Sequence, residues 1–145
     1  MKKTIYNNAF TQFTDKEFDE KYALISHAIQ LGDTINAKKY RDILKENGID
    51  ASDLPSAELF NKDNKIELVP ERNKFTFIDL FAGIGGFRIA MQKLGGQCVF
   101  SSEWDEPAKE TYFRNYGEVP FGDITIPATK ALIPDKFDVL CAGFP

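Results

Sequence analysis

Residues 75–86 read FTFIDLFAGIGG, and this stretch decides the fold of the chain. Its first seven residues are rich in aromatic and β-branched side chains and are bounded by turn residues, which predicts a buried β-strand over residues 75–81. Glycines follow at once, and apolar residues then recur at helical spacing as far as Leu94. A strand, a glycine turn and a helix in this order predict the start of a βαβ unit.

The sequence downstream repeats this alternation of strands and helices. Turn residues separate short apolar segments that predict further strands over residues 97–102, 121–124 and 137–142. Helical patterns over residues 106–116 and 126–132 lie between them. Strands that alternate with helices predict an α/β fold with a doubly wound parallel sheet.

The N-terminal half has a different character and predicts helices. Its apolar residues recur at spacings of four, three and four, which places them on one helical face: Phe18, Tyr22, Ile25 and Ile29. Thr14 is the predicted N-cap of this helix and Gly32 its C-cap. Asp33 is a candidate cap for a second helix, which we expect to end at Gly48.

A polar linker is predicted over residues 61–73. It divides the chain into a small helical N-terminal extension, residues 1–73, and an α/β portion, residues 74–145. Two functions stay open for the extension: packing on the α/β portion, or a helix-turn-helix that binds DNA and regulates transcription. A recognition helix usually carries several basic or amide residues, and the extension offers only a modest set: Asn36, Lys38, Lys39 and Arg41.

Composition bounds the function from another side. The 145 residues carry 18 Lys and Arg against 22 Asp and Glu, a net charge of −4 that excludes a general basic coat for nucleic acid. No apolar run approaches the roughly 18 to 20 residues of a membrane span, and we identify no signal peptide.

Cys98 and Cys141 form neither a disulfide framework nor a metal cluster, and we expect both thiols to be buried and inert. The expected location is the cytoplasm. His27, the single histidine, lies off the apolar stripe and is predicted at the surface or its boundary.

Polar residues and glycines follow every predicted strand. In a parallel sheet a ligand binds beyond the carboxyl ends of the strands, so these residues are expected to meet at one edge. They are Gly83, Gly85 and Gly86 after the first strand, Glu103, Trp104 and Asp105 after the second, Asp123 and Ile124 at the third, and Gly143 and Pro145 after the fourth.

These residue types describe an adenosine site. Glu103 lies 20 residues after Gly83, where a carboxylate accepts hydrogen bonds from both ribose hydroxyls of a nucleotide. Trp104 offers an aromatic face for an adenine ring. Asp123 is placed to accept a hydrogen bond from the adenine amino group, and Ile124 to pack on the ring.

The glycine turn favours one kind of adenosine ligand. A dinucleotide-binding turn follows the pattern G-x-G-x-x-G, whereas residues 83–88 read GIGGFR, with Arg88 in place of the third glycine. This weakens the case for a pyrophosphate and favours S-adenosylmethionine, whose amino-acid end would lie within reach of Asp79. A dinucleotide-binding oxidoreductase is the alternative.

Four motifs of this sequence resemble those of the DNA (cytosine-5)-methyltransferases, in the same order. They are FIDLFAGIGGFR at residues 77–88, SEWD at residues 102–105, GDI at residues 122–124 and DVLCAGFP at residues 138–145. The resemblance implies a doubly wound sheet of the S-adenosylmethionine-dependent methyltransferase type, incomplete within these residues. It does not cover residues 1–74.

The resemblance also implies a site for S-adenosyl-L-methionine. The predicted cofactor-binding residues are Asp79, Phe81, Ala82, Gly83, Ile84, Gly85, Gly86, Glu103, Trp104, Asp123, Ile124, Gly143 and Pro145.

The activity that the resemblance implies is methylation of C5 of cytosine in a specific sequence of double-stranded DNA, in a bacterial restriction–modification system. The target base is flipped out of the duplex and attacked by a cysteine thiolate. In the family that cysteine comes directly after the proline that corresponds to Pro145, so Cys141 is not the nucleophile. We therefore expect residues 1–145 by themselves to be inactive and to need the remainder of the enzyme or a second chain.

Overall fold

A computed structural model of the chain describes residues 16–57 and 74–143, with the backbone alone for residues 16–20. The predicted N-cap Thr14, the predicted linker over residues 61–73 and Pro145 lie outside the described residues.

The N-terminal part is helical, as predicted. Its elements are helix α1 (Lys16–Leu31), a 3₁₀ turn (Ile35–Ala37), helix α2 (Lys38–Glu46) and a second 3₁₀ turn (Ala51–Asp53). Gly32 follows α1 in the left-handed region at φ 59°, and its N–H donates to the carbonyl of Ala28, so the predicted C-cap is confirmed. The capping role predicted for Asp33 is wrong, because Thr34 precedes the 3₁₀ turn and the Asp33 carboxylate pairs with Arg41.

The second part is an α/β layer structure around a three-stranded parallel sheet. The strands are β1 (Phe75–Leu80), β2 (Gly96–Ser102) and β3 (Val139–Ala142), and their order in the sheet is β2-β1-β3. The helices are α3 (Gly86–Lys93), α4 (Glu106–Tyr116) and a short α5 (Pro127–Lys130). The predicted α/β class with a parallel sheet is confirmed.

The strand predicted over residues 121–124 is reduced to a single bridge between Phe121 and Ser102. The N–H of Phe121 donates to the carbonyl of Ser101, and the N–H of Glu103 donates to the carbonyl of Phe121. Residues 122–124 do not continue the strand, because the chain turns at Asp123, whose Oδ1 accepts the N–H of Thr125 at 2.8 Å. On the N-terminal side of the bridge, His27 of α1 accepts a hydrogen bond from the N–H of Ser101 at 3.2 Å.

Helices cover both faces of the sheet. On one face a single apolar core joins α1 and α2 to β1, β2 and α4, and the hydroxyl of Tyr40 donates to the carbonyl of Val99 at 2.8 Å. On the other face Met91 of α3 packs on Phe77, Cys98 and Cys141. Both thiols are buried as predicted, and burial raises the pKa of each.

The N-terminal helices therefore pack on the sheet, the first of the two functions considered for them. Asn36 donates to the side chain of Gln97 on β2 at 2.9 Å, and Lys39 donates to the carbonyl of Ile133 at 2.9 Å. Because these side chains are engaged within the protein, they argue against a DNA-recognition helix. His27 is fully buried, so the predicted surface or boundary position is wrong.

Candidate functional site

The turn after β1 has an unusual backbone. Three residues adopt positive φ angles: Phe81 at 57°, Gly83 at 56° and Gly85 at 95°. Side chains disfavour this left-handed region, so Phe81 holds backbone strain of the kind that concentrates at functional sites. Ala82 is buried between these residues, and its N–H donates to the carbonyl of Ser102 at 2.9 Å. The hydrogen bond fixes the turn against the end of β2.

Glu103 ties this turn to the segment after β2. Its Oε2 accepts the N–H of Gly83 at 2.8 Å, and its Oε1 accepts the N–H groups of Trp104 at 2.8 Å and Asp105 at 2.9 Å. A carboxylate offers about four lone pairs, so about one is left for a ligand. The sequence predicted that Glu103 binds both ribose hydroxyls. In the structure its carboxylate mainly holds the loop through backbone N–H groups, and it can accept about one further hydrogen bond from a ribose hydroxyl.

Apolar side chains are exposed around the turn. Trp104 is 73% exposed, Ile84 61% and Phe87 43%. Trp104 is thus a surface residue with an accessible ring, and not part of the core. A Cβ added to Gly143 would lie 3.3 Å from the ring of Phe87, which places the end of β3 beside α3.

Asp123 and Ile124 lie in a turn directly after the Phe121 bridge. Asp123 Oδ1 accepts the N–H and the hydroxyl of Thr125, both at 2.8 Å, and these hydrogen bonds lower the pKa of the carboxyl. Ile124 is partly buried against the core. The bond from Glu103 N–H to the Phe121 carbonyl, at 2.8 Å, holds this turn next to the Glu103 segment.

Asp79 is the most unusual carboxylate of the site. It lies near the end of β1, is 0% exposed, and neither of its oxygens has a hydrogen-bond partner among residues 16–57 and 74–143. Burial raises the pKa of Asp79 to about 7, against the opposing attraction of Arg88. Burying a carboxylate without a partner is costly, and such groups are candidates for functional sites.

Sequence reasoning missed a buried ionic network behind the turn. Arg88 is 2% exposed and donates to Glu118 Oε1 at 2.8 Å and to the hydroxyl of Tyr112 at 2.9 Å. Its guanidinium also lies 5.1 Å from the ring centre of Tyr116. Burial alone would raise the pKa of Glu118, but the charge of Arg88 and the hydrogen bonds from Ser101 and Arg88 outweigh it, so the net shift is downward. Arg88 stands in the first turn of α3, where the helix dipole disfavours a cation, and this was the one indication that it needs a partner.

The glycines of the turn have different physical roles, and their alanine variants should separate them. A Cβ at Gly85 would lie 2.1 Å from Cε2 of Tyr116, at a φ of +95°. We expect Gly85→Ala to cost about 2 to 5 kcal/mol from backbone strain and overpacking. Gly83 has positive φ but open space, so Gly83→Ala should cost about 1 to 2 kcal/mol. Chemical denaturation followed by circular dichroism measures these costs.

Gly86→Ala is the control for this series. Gly86 opens α3 with nothing within 4 Å of an added Cβ and no positive φ, so its alanine variant should match or exceed wild-type stability by up to about 1 kcal/mol. Equal losses at Gly85 and Gly86 would show that Tyr116 does not fill the space under the turn.

A three-stranded parallel sheet with helices on both faces and a strained glycine turn after its first strand has the architecture of an incomplete methyltransferase fold. Residues 75–145 match the model of the family described as C-5 cytosine-specific DNA methylase. The chain belongs to the DNA (cytosine-5)-methyltransferase family through these residues.

Curated relatives agree with this assignment. The chain is 59% identical over 107 residues to the Type II methyltransferase M.HpaII of Haemophilus parainfluenzae. This alignment covers 72% of this chain and 28% of that protein. It is 58% identical over 69 residues to M.HhaI of Haemophilus parahaemolyticus, covering 48% of this chain and 20% of that protein. For M.BsuFI of Bacillus subtilis the identity is 54% over 87 residues, with coverages of 59% and 21%. The chain thus spans between 20% and 28% of the length of these relatives.

The described residues include no helix that is both long and apolar enough to cross a membrane.

Proposed function

We propose that this chain is the S-adenosylmethionine-binding N-terminal portion of a DNA cytosine-5 methyltransferase of a bacterial restriction–modification system. The whole enzyme would methylate C5 of cytosine within a specific sequence of double-stranded DNA in the cytoplasm. The family match over residues 75–145 and the Type II methyltransferase names of the relatives support this proposal.

The observation that carries the cofactor assignment is the buried carboxylate of Asp79, which has no hydrogen-bond partner within the described residues. Asp79 lies near the end of β1, shortly before the glycine turn. S-adenosylmethionine carries an ammonium group, which would supply the missing partner. We assign the free lone pair of Glu103 to a ribose hydroxyl, the exposed ring of Trp104 to the adenine face, and the Asp123–Ile124 turn to the adenine edge. Phe81, Ala82, Gly83, Ile84, Gly85, Gly86, Gly143 and Pro145 would line the site. The cofactor supplies the methyl group.

We also propose that residues 1–73 act as a helical extension of residues 74–145, and that residues 1–145 by themselves bind the cofactor without transferring its methyl group. The nucleophile that the family resemblance implies is not among these residues. Cys141 does not replace it, because Cys141 lies on β3, is buried, and has a raised pKa.

Binding of S-adenosylmethionine to the purified chain, measured by isothermal titration calorimetry, tests the proposal. We expect wild type to bind and Trp104→Ala to bind about 10-fold or more weakly, because stacking on an aromatic ring contributes about 1 to 3 kcal/mol per base. Leu94→Ala is the matched control, since Leu94 is 63% exposed but follows α3 at the opposite end of the sheet. Its affinity should equal that of wild type.

Three outcomes would contradict the proposal or a part of it. A chain that is folded by circular dichroism but does not bind S-adenosylmethionine would remove the cofactor assignment. Tight binding of NAD in competition with S-adenosylmethionine would favour the dinucleotide alternative. Incorporation of labelled methyl groups into DNA by residues 1–145 alone would show that the fragment is active.

A further inference from the structure

His27 lies in the core at the junction of α1 with the sheet. Its side chain is fully buried, with ring centres 4.3 Å from Phe121 and 5.5 Å from Tyr40. Helix α1 precedes residues 75–145, to which the family match is confined. The contacts of His27 therefore connect a helix that precedes the residues matched by the family model to the segments of the site.

The hydrogen bonds of His27 define its role as an acceptor. Nδ1 lies 2.8 Å from the carbonyl of Ala23, which only accepts, so the ring proton is on Nδ1. Nε2 then carries a lone pair and accepts the N–H of Ser101 at 3.2 Å, with Glu118 Oε1 3.3 Å from the same atom. Burial lowers the pKa of His27 more than the nearby Glu118 raises it, which agrees with a neutral ring.

Ser26, the residue before His27 on α1, also accepts a backbone N–H group, from the segment that leads to Phe121. The hydroxyl of Ser26 accepts the N–H of Val119 at 2.9 Å and is also buried. Two consecutive side chains of α1 thus accept the N–H groups of Ser101 on β2 and of Val119 in the segment beside it, where the described residues form a single bridge.

Both N–H groups belong to segments that lead directly into the site. Ser101 is two residues before Glu103, and Val119 is two residues before Phe121, after which the Gly122–Ile124 turn begins. The N–H of Glu103 donates to the carbonyl of Phe121, so the two segments meet at one point. His27 packs under that point through its contact with the Phe121 ring.

We propose that Ser26 and His27 are positioning residues of the cofactor site, through which the N-terminal extension sets the relative placement of the Glu103–Trp104 segment and the Gly122–Ile124 turn. The proposal rests on the proposed binding of S-adenosylmethionine. It means that affinity for the adenosine part of the cofactor depends on a helix that precedes the residues matched by the family model.

Three variants of the full chain test this by calorimetric titration with S-adenosylmethionine. His27→Phe keeps an aromatic ring but leaves the N–H of Ser101 without an acceptor, and we expect it to bind about 10-fold more weakly. His27→Gln restores a neutral acceptor at the position of Nε2 and should return to within about 3-fold of wild type. Tyr40→Phe removes another buried hydrogen bond from a helix to β2, at Val99, and should leave the affinity unchanged.

Each outcome decides a different question. Weaker binding by His27→Phe, rescue by His27→Gln and no effect of Tyr40→Phe would support the positioning role. Equal affinities for folded His27→Phe and Tyr40→Phe would overturn it, because His27 would then act on stability alone. If His27→Phe does not fold, Ser26→Ala replaces it, with weaker binding again expected and unchanged binding again overturning the proposal. Absence of binding by folded wild type would instead overturn the proposed function, and this inference with it.

Discussion

We expect Glu118→Ala to lose about 3 to 5 kcal/mol of its free energy of unfolding, because removing one partner of a buried ion pair leaves the other charge uncompensated. Arg88 is 2% exposed and Glu118 is 0% exposed, so water cannot replace the lost carboxylate. Glu118 also accepts the hydroxyl of Ser101 at 2.9 Å, which would lose this acceptor. Urea denaturation followed by circular dichroism measures the loss. This loss is a large fraction of the roughly 5 to 15 kcal/mol by which native domains are stable.

A second pair of the same residue types provides the control. Arg114 and Glu110 form an ion pair on the surface of α4, with side chains 53% and 41% exposed. Glu110→Ala should cost no more than about 0.5 kcal/mol, because exposed pairs in helices contribute little. The double variant Arg88→Met/Glu118→Leu should recover much of the stability lost in Glu118→Ala, since it buries no unpaired charge. Equal costs for Glu118→Ala and Glu110→Ala would show that the buried pair is not a structural requirement.

The second large predicted effect is an increase in the free energy of unfolding. We expect Asp79→Asn to stabilise the cofactor-free chain at pH 8, by roughly 4 kcal/mol at most, because it removes a buried carboxylate whose pKa is raised to about 7 from 3.8. The same variant should lose most of its affinity for S-adenosylmethionine, since the amide carries no charge to pair with the ammonium group. Stability by urea denaturation and affinity by calorimetry measure the two effects.

The pH dependence identifies Asp79 as the cause. A raised pKa means that the folded chain holds the proton of Asp79 more tightly than the unfolded chain does. The stabilisation from this proton is complete below pH 3.8 and is lost as the pH rises through about 7. The advantage of Asp79→Asn should therefore grow from about pH 4 to pH 8 and vanish in acid.

Asp105→Asn is the matched control for Asp79→Asn. Asp105 is an exposed N-cap that accepts the N–H of Ala108 at 3.0 Å, a role that asparagine fills equally well. Its variant should change stability by less than about 0.5 kcal/mol at every pH. A destabilised Asp79→Asn at pH 8 would mean that the carboxylate has a structural partner and is not held ready for a ligand.

The two predictions describe two ways in which this fold holds buried charge. Glu118 and Arg88 compensate each other and stabilise the layer behind the glycine turn. Asp79 lies in the same region without a hydrogen-bond partner among the described residues, and Arg88 only partly offsets the cost of its burial. A carboxylate that lowers stability in the absence of ligand is expected where function and not folding requires it.

Much of the fold followed from local patterns in the sequence. The strand and glycine turn of residues 75–86, the strand over residues 97–102 and the helix over residues 106–116 were predicted within one or two residues of β1, α3, β2 and α4. Each depends on periodicity or on glycine and proline preferences, which act within a few residues. The strand ends then meet at one edge because parallel strands require it, so the proximity of Gly83, Glu103 and Phe121 was also predictable.

The tertiary structure decided the features that depend on partners distant in the chain. The predicted strand over residues 121–124 became a bridge because the chain turns at Asp123, whose Oδ1 accepts the N–H of Thr125; on the other side of the bridge Ser26 and His27, more than 70 residues earlier, accept the N–H groups of Val119 and Ser101. Arg88, considered in the sequence only as a departure from a glycine pattern, is a buried cation because Glu118 lies 2.8 Å away. Periodicity and composition report which side chains prefer water or apolar surroundings. They do not report which donor will meet which acceptor, because that is fixed only when the helices pack on the sheet.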